Sequence, residues 1–77
     1  MESVEMVAEA RRALAEGHEK DAARLLTDAV YGTHDPEVER EIRALAAQGR
    51  EHAGRFGKAR WDEIIRIAEL RGANGQS

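Results

Sequence analysis

Residues 13–29, ALAEGHEKDAARLLTDA, decide the fold. The stretch is helix-forming on both sides, yet Gly17 sits in its middle. A glycine inside a helix costs about 1 kcal/mol relative to alanine. The same residue is the natural one where a helix must end in a left-handed conformation and the chain must turn back. Ala22, Leu25, Leu26 and Ala29 follow it at i, i+3, i+4 and i+7, one apolar stripe. Val4, Val7, Ala8, Leu14 and Ala15 form a stripe before it, with Met6, Ala10 and Ala13 making a second apolar face. One long helix would give the stripes before and after Gly17 no common partner surface. The reading is therefore two helices joined by a very short turn, which forces antiparallel neighbours.

The same pattern extends along the chain. In THDPEVEREIRALA, Asp35 is placed to cap a third helix, Pro36 suits its first position, and Glu37 and Glu39 complement the dipole. Val38, Ile42, Leu45, Ala46, Gly49 and Ala53 make its stripe. Gly54 and Gly57 mark a second break, and Trp61, Ile64, Ile65 and Ala68 a fourth stripe, widened by Ile67 and Leu70. Ser3 is expected to cap the first helix, Gly32 to close the second and Gly72 the fourth. Expected helices cover Ser3–Glu16, His18–Tyr31, Pro36–Ala53 and Lys58–Arg71. They form a single domain over residues 1–72, with residues 3–31 and 36–71 as hairpins and 73–77 as a disordered tail. Trp61 is read as core.

The chain also echoes itself. The second stripe returns as the fourth after 39 residues, and the first as the third after 38, pairing Val4 with Ile42 and Val7 with Leu45. Each break reads Gly, four residues, Ala, as in Gly17 to Ala22 and Gly54 to Ala59. Here the chain resembles the tetratricopeptide repeat. That family has a small residue midway along its first helix, Gly in the turn, Ala opening the second helix, a large apolar residue four later and Ala three after that. Ala10, Gly17, Ala22, Leu26 and Ala29 occupy those positions, and Pro36 lies two residues beyond the expected proline. Met6, Glu9 and Ala13 depart from the family's aromatic, leucine and tyrosine. The second unit matches only at Gly54 and Ala59, because Glu63 and Arg66 stand where apolar residues belong. The resemblance implies an all-α fold of two stacked antiparallel hairpins. It also implies a groove lined mainly by the first helix of each hairpin, with Glu9, Arg12, Arg43 and Arg50 as polar candidates.

Composition narrows the function. A chain of 77 residues holds one small core, and the absence of cysteine removes disulfides and thiolate metal sites. No run approaches a membrane span, and the acidic start lacks the basic region of a signal peptide, so a cytoplasmic location is expected. His18, His34 and His52 stand apart from one another, so no metal site or cofactor is expected. Glu37, Glu39 and Glu41 read as a solvated helix start, because residues two apart on a helix do not face each other. Phosphate-loop spacing and a nucleophile–base pair are both missing, and the chain is not expected to be an enzyme.

Charge is unevenly spread. Residues 1–48 hold 6 Lys/Arg against 11 Asp/Glu, residues 49–77 hold 6 against 4. Arg50, Arg55, Lys58 and Arg60 cluster around the second break and are the candidate partner-binding residues. Separated charge steers oppositely charged partners, and arginine grips carboxylates. The expected function is non-catalytic: binding a peptide or protein segment, an acidic one or the acidic half of a second copy. A small helical DNA-binding or regulatory domain is the alternative, since basic residues flank a turn between helices. The net charge of −3 counts against it.

Overall fold

The computed structural model describes the backbone of residues 2–75 and the side chains of residues 2–54 and 57–70. It is all-helical: α1 (Ser3–Ala15), α2 (Glu19–Gly32), α3 (Pro36–His52) and α4 (Arg55–Gly75). No strand occurs among the described residues. The helices pack as a small bundle. α1 lies along α2 and α3 along α4, while smaller contacts join α1 to α3, α2 to α3 and α2 to α4. Among the described residues α1 and α4 do not touch.

Gly17 explains the first turn. Its φ is +84°, and it is the residue with positive φ among those described. The His18 amide donates to the Ala13 carbonyl at 2.8 Å and the Gly17 amide to that of Leu14 at 3.2 Å. That is the paired 6→1 and 5→2 bonding of a Schellman motif, which satisfies the orphan carbonyls at the end of α1. An added Cβ at Gly17 would meet nothing within 4 Å. Gly17→Ala therefore meets backbone strain alone, and should lower stability by about 1–2 kcal/mol. Gly54, whose Cβ position is equally open, lies in the second connection without a positive φ. Gly54→Ala should stay within about 0.5 kcal/mol of wild type. Urea unfolding of both variants checks the contrast; equal losses would contradict it.

The two connections thus differ in chemistry although both contain glycine. The second is made by Ala53, extended at φ −82° and ψ 149°, and by the Gly54 carbonyl, which accepts from the Lys58 amide. Gly57 lies inside the first turns of α4, so that helix begins three residues before the expected Lys58. At its other end α4 runs through Gly72 to Gly75. A single helical glycine costs only about 1 kcal/mol, too little to end a helix already under way. Of the expected tail, residues 73–75 are therefore helical, and Gln76 and Ser77 lie outside the described residues.

Two further caps differ from expectation. Ser3 is the first residue of α1 rather than its cap, and its hydroxyl donates to the Ala29 carbonyl at 3.5 Å, tying α1 to α2. Gly32 stays helical, and α2 is ended by extended Thr33. Thr33 is buried, and its hydroxyl accepts from the Asp35 amide, which turns the chain into α3. Asp35 then caps α3 by accepting from the Glu37 amide at 2.9 Å, with Pro36 at the first helical position.

The core comprises Val7 and Ala10 of α1, Ala22, Ala23, Leu26, Ala29 and Val30 of α2, Val38, Ile42, Leu45 and Ala46 of α3, and Trp61, Ile64 and Ala68 of α4. The stripes of α2, α3 and α4 are largely those expected, with Ile65 and Ile67 half-buried on α4; Leu70, expected to widen the α4 stripe, is 59% exposed, and burial on α2 reaches Ala23 and Val30 while Leu25 is half-buried. Trp61 is core. On α1 the expected face is rotated. Val4 is 62% exposed and Ala8 and Ala15 are exposed, whereas Ala10 is buried and Met6, Ala13 and Leu14 are half-buried. Both faces of α1 are apolar, and the position of α2 selects between them. On α1 and α3 burial returns after 39 residues, Val7 with Ala46 and Ala10 with Gly49, whereas buried Ala23 and Val30 of α2 fall on exposed Asp62 and Glu69. The pairing of exposed Val4 with buried Ile42 does not hold.

Candidate functional site

Residues two apart on an α-helix point about 200° apart, since each residue turns the helix by about 100°. That rule sorts every polar side chain of α1 and α3. Arg11 of α1 reaches Glu41 of α3, with Nη2 donating to Oε2 at 3.2 Å. This bridge spans an open groove between the two helices. The groove is bounded by Leu14, Ala15 and Gly17 on one side and by Ala44, Gln48 and His52 on the other. Its section around Arg11, Gln48 and His52 encloses about 540 Å³. Val4 and Ala8 lie on the same face of α1 at helical spacing ahead of Arg11 and Ala15, and are exposed. Ala15 and Ala44 put small apolar side chains on the groove's two walls.

The polar candidates Glu9, Arg12, Arg43 and Arg50 do not bound this groove. Glu9 and Arg12 pair with each other at 3.7 Å beside α2, together with Asp21 and Arg24. Arg43 lies two residues from Glu41, on the opposite side of α3. Arg50 lies two from Gln48 and forms an ion pair with Asp62 of α4. Arg11, Gln48 and His52 line the groove, which the spacing of residues does not reveal, because which side chains lie there depends on which face of α1 meets α3.

The expected cluster around the second break divides. Arg50 and Lys58 are exposed on the α3/α4 side, Arg50 held by Asp62. Arg60 faces the α2 side, where it shares a shallow groove with Glu19, Lys20, Ala23 and Trp61. The side chain of Arg55 lies outside the described residues. Helical spacing separates the cluster: Lys58 and Arg60, two apart, cannot share a face.

Of the three glutamates at the start of α3, Glu37 and Glu41 are exposed but Glu39 is 5% exposed, not solvated as expected. It lies beside the Ile42–Ala46 stripe, one turn into α3, where the positive end of the helix dipole favours a carboxylate. His18, His34 and His52 are all exposed. Among the described residues no group of three or more His, Asp or Glu is placed to hold a metal, and no helix is long and apolar enough to cross a membrane. Compared with known proteins, the chain matches no family model, no curated protein and no solved structure.

Proposed function

We propose that this protein is a non-catalytic binding module of the tetratricopeptide-repeat kind, two antiparallel helical hairpins whose first helices, α1 and α3, hold a peptide or protein segment between them. The groove bridged by Arg11 and Glu41 carries the reading. Its walls offer small apolar side chains at Ala15 and Ala44, with polar hydrogen-bonding groups at Arg11, Gln48 and His52. An extended segment could lay its side chains between the helices while its own polar groups meet those ends. The pattern of helix contacts supports the hairpin stack: α1 meets α2 and α3, α4 meets α2 and α3, and α1 does not meet α4 among the described residues. A closed up-and-down bundle would bring α1 and α4 together, and its interior would offer no such groove.

Selection from a phage-displayed library of random short peptides tests the proposal. Enriched peptides should bind the wild type and lose at least about tenfold in affinity, or roughly 1.4 kcal/mol, with Ala44→Arg, which fills the groove. Ala44 is exposed, so the variant should keep its helical circular dichroism. Peptides that bind the variant as well as the wild type, or a library that yields no binder, would contradict the groove reading. A salt-sensitive gel shift with duplex DNA would favour the nucleic-acid alternative.

A further inference from the structure

We infer that a second copy of this chain docks on it head to tail, the acidic outer face of α1/α2 in one copy against the basic outer face of α3/α4 in the next. This interface uses neither wall of the α1/α3 groove, so it stands apart from the peptide-binding reading.

Each hairpin has a face turned away from the other hairpin. On α1 it lies opposite Arg11, and there Ala13 and Leu25 of α2 form the half-buried floor of a shallow groove. Met6, half-buried, lies on the same face of α1 seven residues before Ala13. The rims carry Glu9, Glu16 and Asp21, and Asp28 continues the Asp21 row two turns on. Arg12 pairs with Glu9 at 3.7 Å and Arg24 with Asp21 at 4.0 Å, so the surplus negative charge of this face rests on Glu16, beside His18, and Asp28. Carboxylates outnumber guanidinium groups among the described residues of this face.

The other outer face has the opposite balance. Arg40, Arg43 and Arg50 run along α3 with Ala47, at spacings of three and four, and all are exposed. Lys58 and Arg66 of α4 are exposed as well, and half-buried Ile65 lies between the two rows. The Arg50–Asp62 ion pair places the α3 and α4 rows side by side on one face. Exposed Glu51 on α3, four residues after Ala47, and Asp62 and Glu69 on α4 oppose these cations, which still outnumber them. Half-buried Met6, Ala13 and Leu25 would meet Ile65 and Ala47, while the carboxylate rims meet arginines. Because the two faces differ, the contact is heterologous and repeats from copy to copy, giving rings or open filaments.

Sedimentation velocity on the full chain tests this with two charge-reversal variants. One carries Arg43→Glu with Lys58→Glu and keeps the acidic face. The other carries Glu9→Lys with Asp21→Lys and keeps the basic face. All four residues are exposed, and circular dichroism verifies that both variants stay helical. Wild type should sediment faster as concentration rises from micromolar to millimolar at low salt. It should revert toward monomer at 1 M salt, where the screening length falls to about 3 Å. Each variant alone should remain monomeric. Their equimolar mixture should associate again, because the intact acidic face of one variant meets the intact basic face of the other, and the two reversed faces carry opposite charge in turn. A wild type that stays monomeric throughout would overturn the inference. So would a variant that still associates like the wild type, or a mixture no heavier than its parts. Library peptides that bind the α1/α3 groove should bind both variants as they bind the wild type, which separates this result from the groove proposal.

Discussion

Leu26→Ala lowers the free energy of unfolding by about 2–5 kcal/mol, the range for a buried leucine whose neighbours cannot fully collapse. Leu26 is 0% exposed, and α2, which carries it, is touched by α1, α3 and α4 alike. Any inward movement to fill the cavity would have to shift three helices at once. Domains of this size are stable by roughly 0.05–0.15 kcal/mol per residue, so the loss takes a large share of the total. Urea denaturation gives the value directly. A change below about 0.5 kcal/mol would mark Leu26 as a surface position and overturn the assignment of the core.

Gly49→Ala should lower stability by about 1–3 kcal/mol, the range for an overpacked core. The sign is the informative part. In an exposed helix interior the same change gains up to about 1 kcal/mol, because alanine loses less backbone entropy and favours the helix. At Gly49 the added Cβ would lie 2.5 Å from Cε2 and Cζ2 of Trp61 and 2.8 Å from its Cδ2. Trp61 is itself 2% exposed, so the ring has nowhere to withdraw. Glycine on α3 is what lets the indole of α4 lie flat against the helix backbone. Thermal and urea unfolding of Gly49→Ala, with Trp61→Phe and the double variant, isolates the coupling. The alanine should cost less once the indole is replaced by the smaller ring. A gain in stability on Gly49→Ala would contradict this packing.

The pairing of Gly49 with Trp61 also shows where the sequence stops being legible. Both residues lay on expected apolar stripes, and each stripe was readable from spacing alone. That one of them needed to be glycine because the other was tryptophan depends on the helices' relative height, which no periodicity records. Gly17 was legible for the opposite reason. A Schellman turn is local, and its hydrogen bonds join residues 13, 14, 17 and 18 with no help from the rest of the fold. α3 carries a single apolar stripe, so its buried face followed from the residues; on α2 the packing turns the buried face past Leu25 toward Ala23 and Val30. α1 carries valine and alanine all round, and only the packing of α2 against Ala10 decides that Val4 and Ala8 remain exposed.

The polar residues follow the same division. The capping role of Asp35 was readable because its partner, the Glu37 amide, is two residues away. Arg11 and Glu41 are 30 residues apart, and nothing in either neighbourhood distinguishes Arg11 from Arg12. Likewise the cluster Arg50, Arg55, Lys58 and Arg60 is compact in sequence but divided in space. Helical geometry sends Arg60 toward Lys20 on α2, while Arg50 and Lys58 join Arg40 and Arg43 on the other side. The charge asymmetry between the halves of the chain survives folding as two oppositely charged outer faces.

The arrangement of α1 beside α3, with α4 out of reach of α1, underlies the groove and the two outer faces alike. The chain has no cysteine, so single pairs can be introduced without background. Cross-linking with a short bismaleimide, in dilute solution and read by intact mass after proteolysis, compares Arg11→Cys/Glu41→Cys with Arg11→Cys/Glu69→Cys. All three positions are exposed, and the side chains of the first pair meet at 3.2 Å in the wild type. The open stack predicts intramolecular cross-linking of the α1–α3 pair and little of the α1–α4 pair. Efficient linkage of the α1–α4 pair with none of the α1–α3 pair would mean a closed bundle with α1 against α4, and would contradict the account.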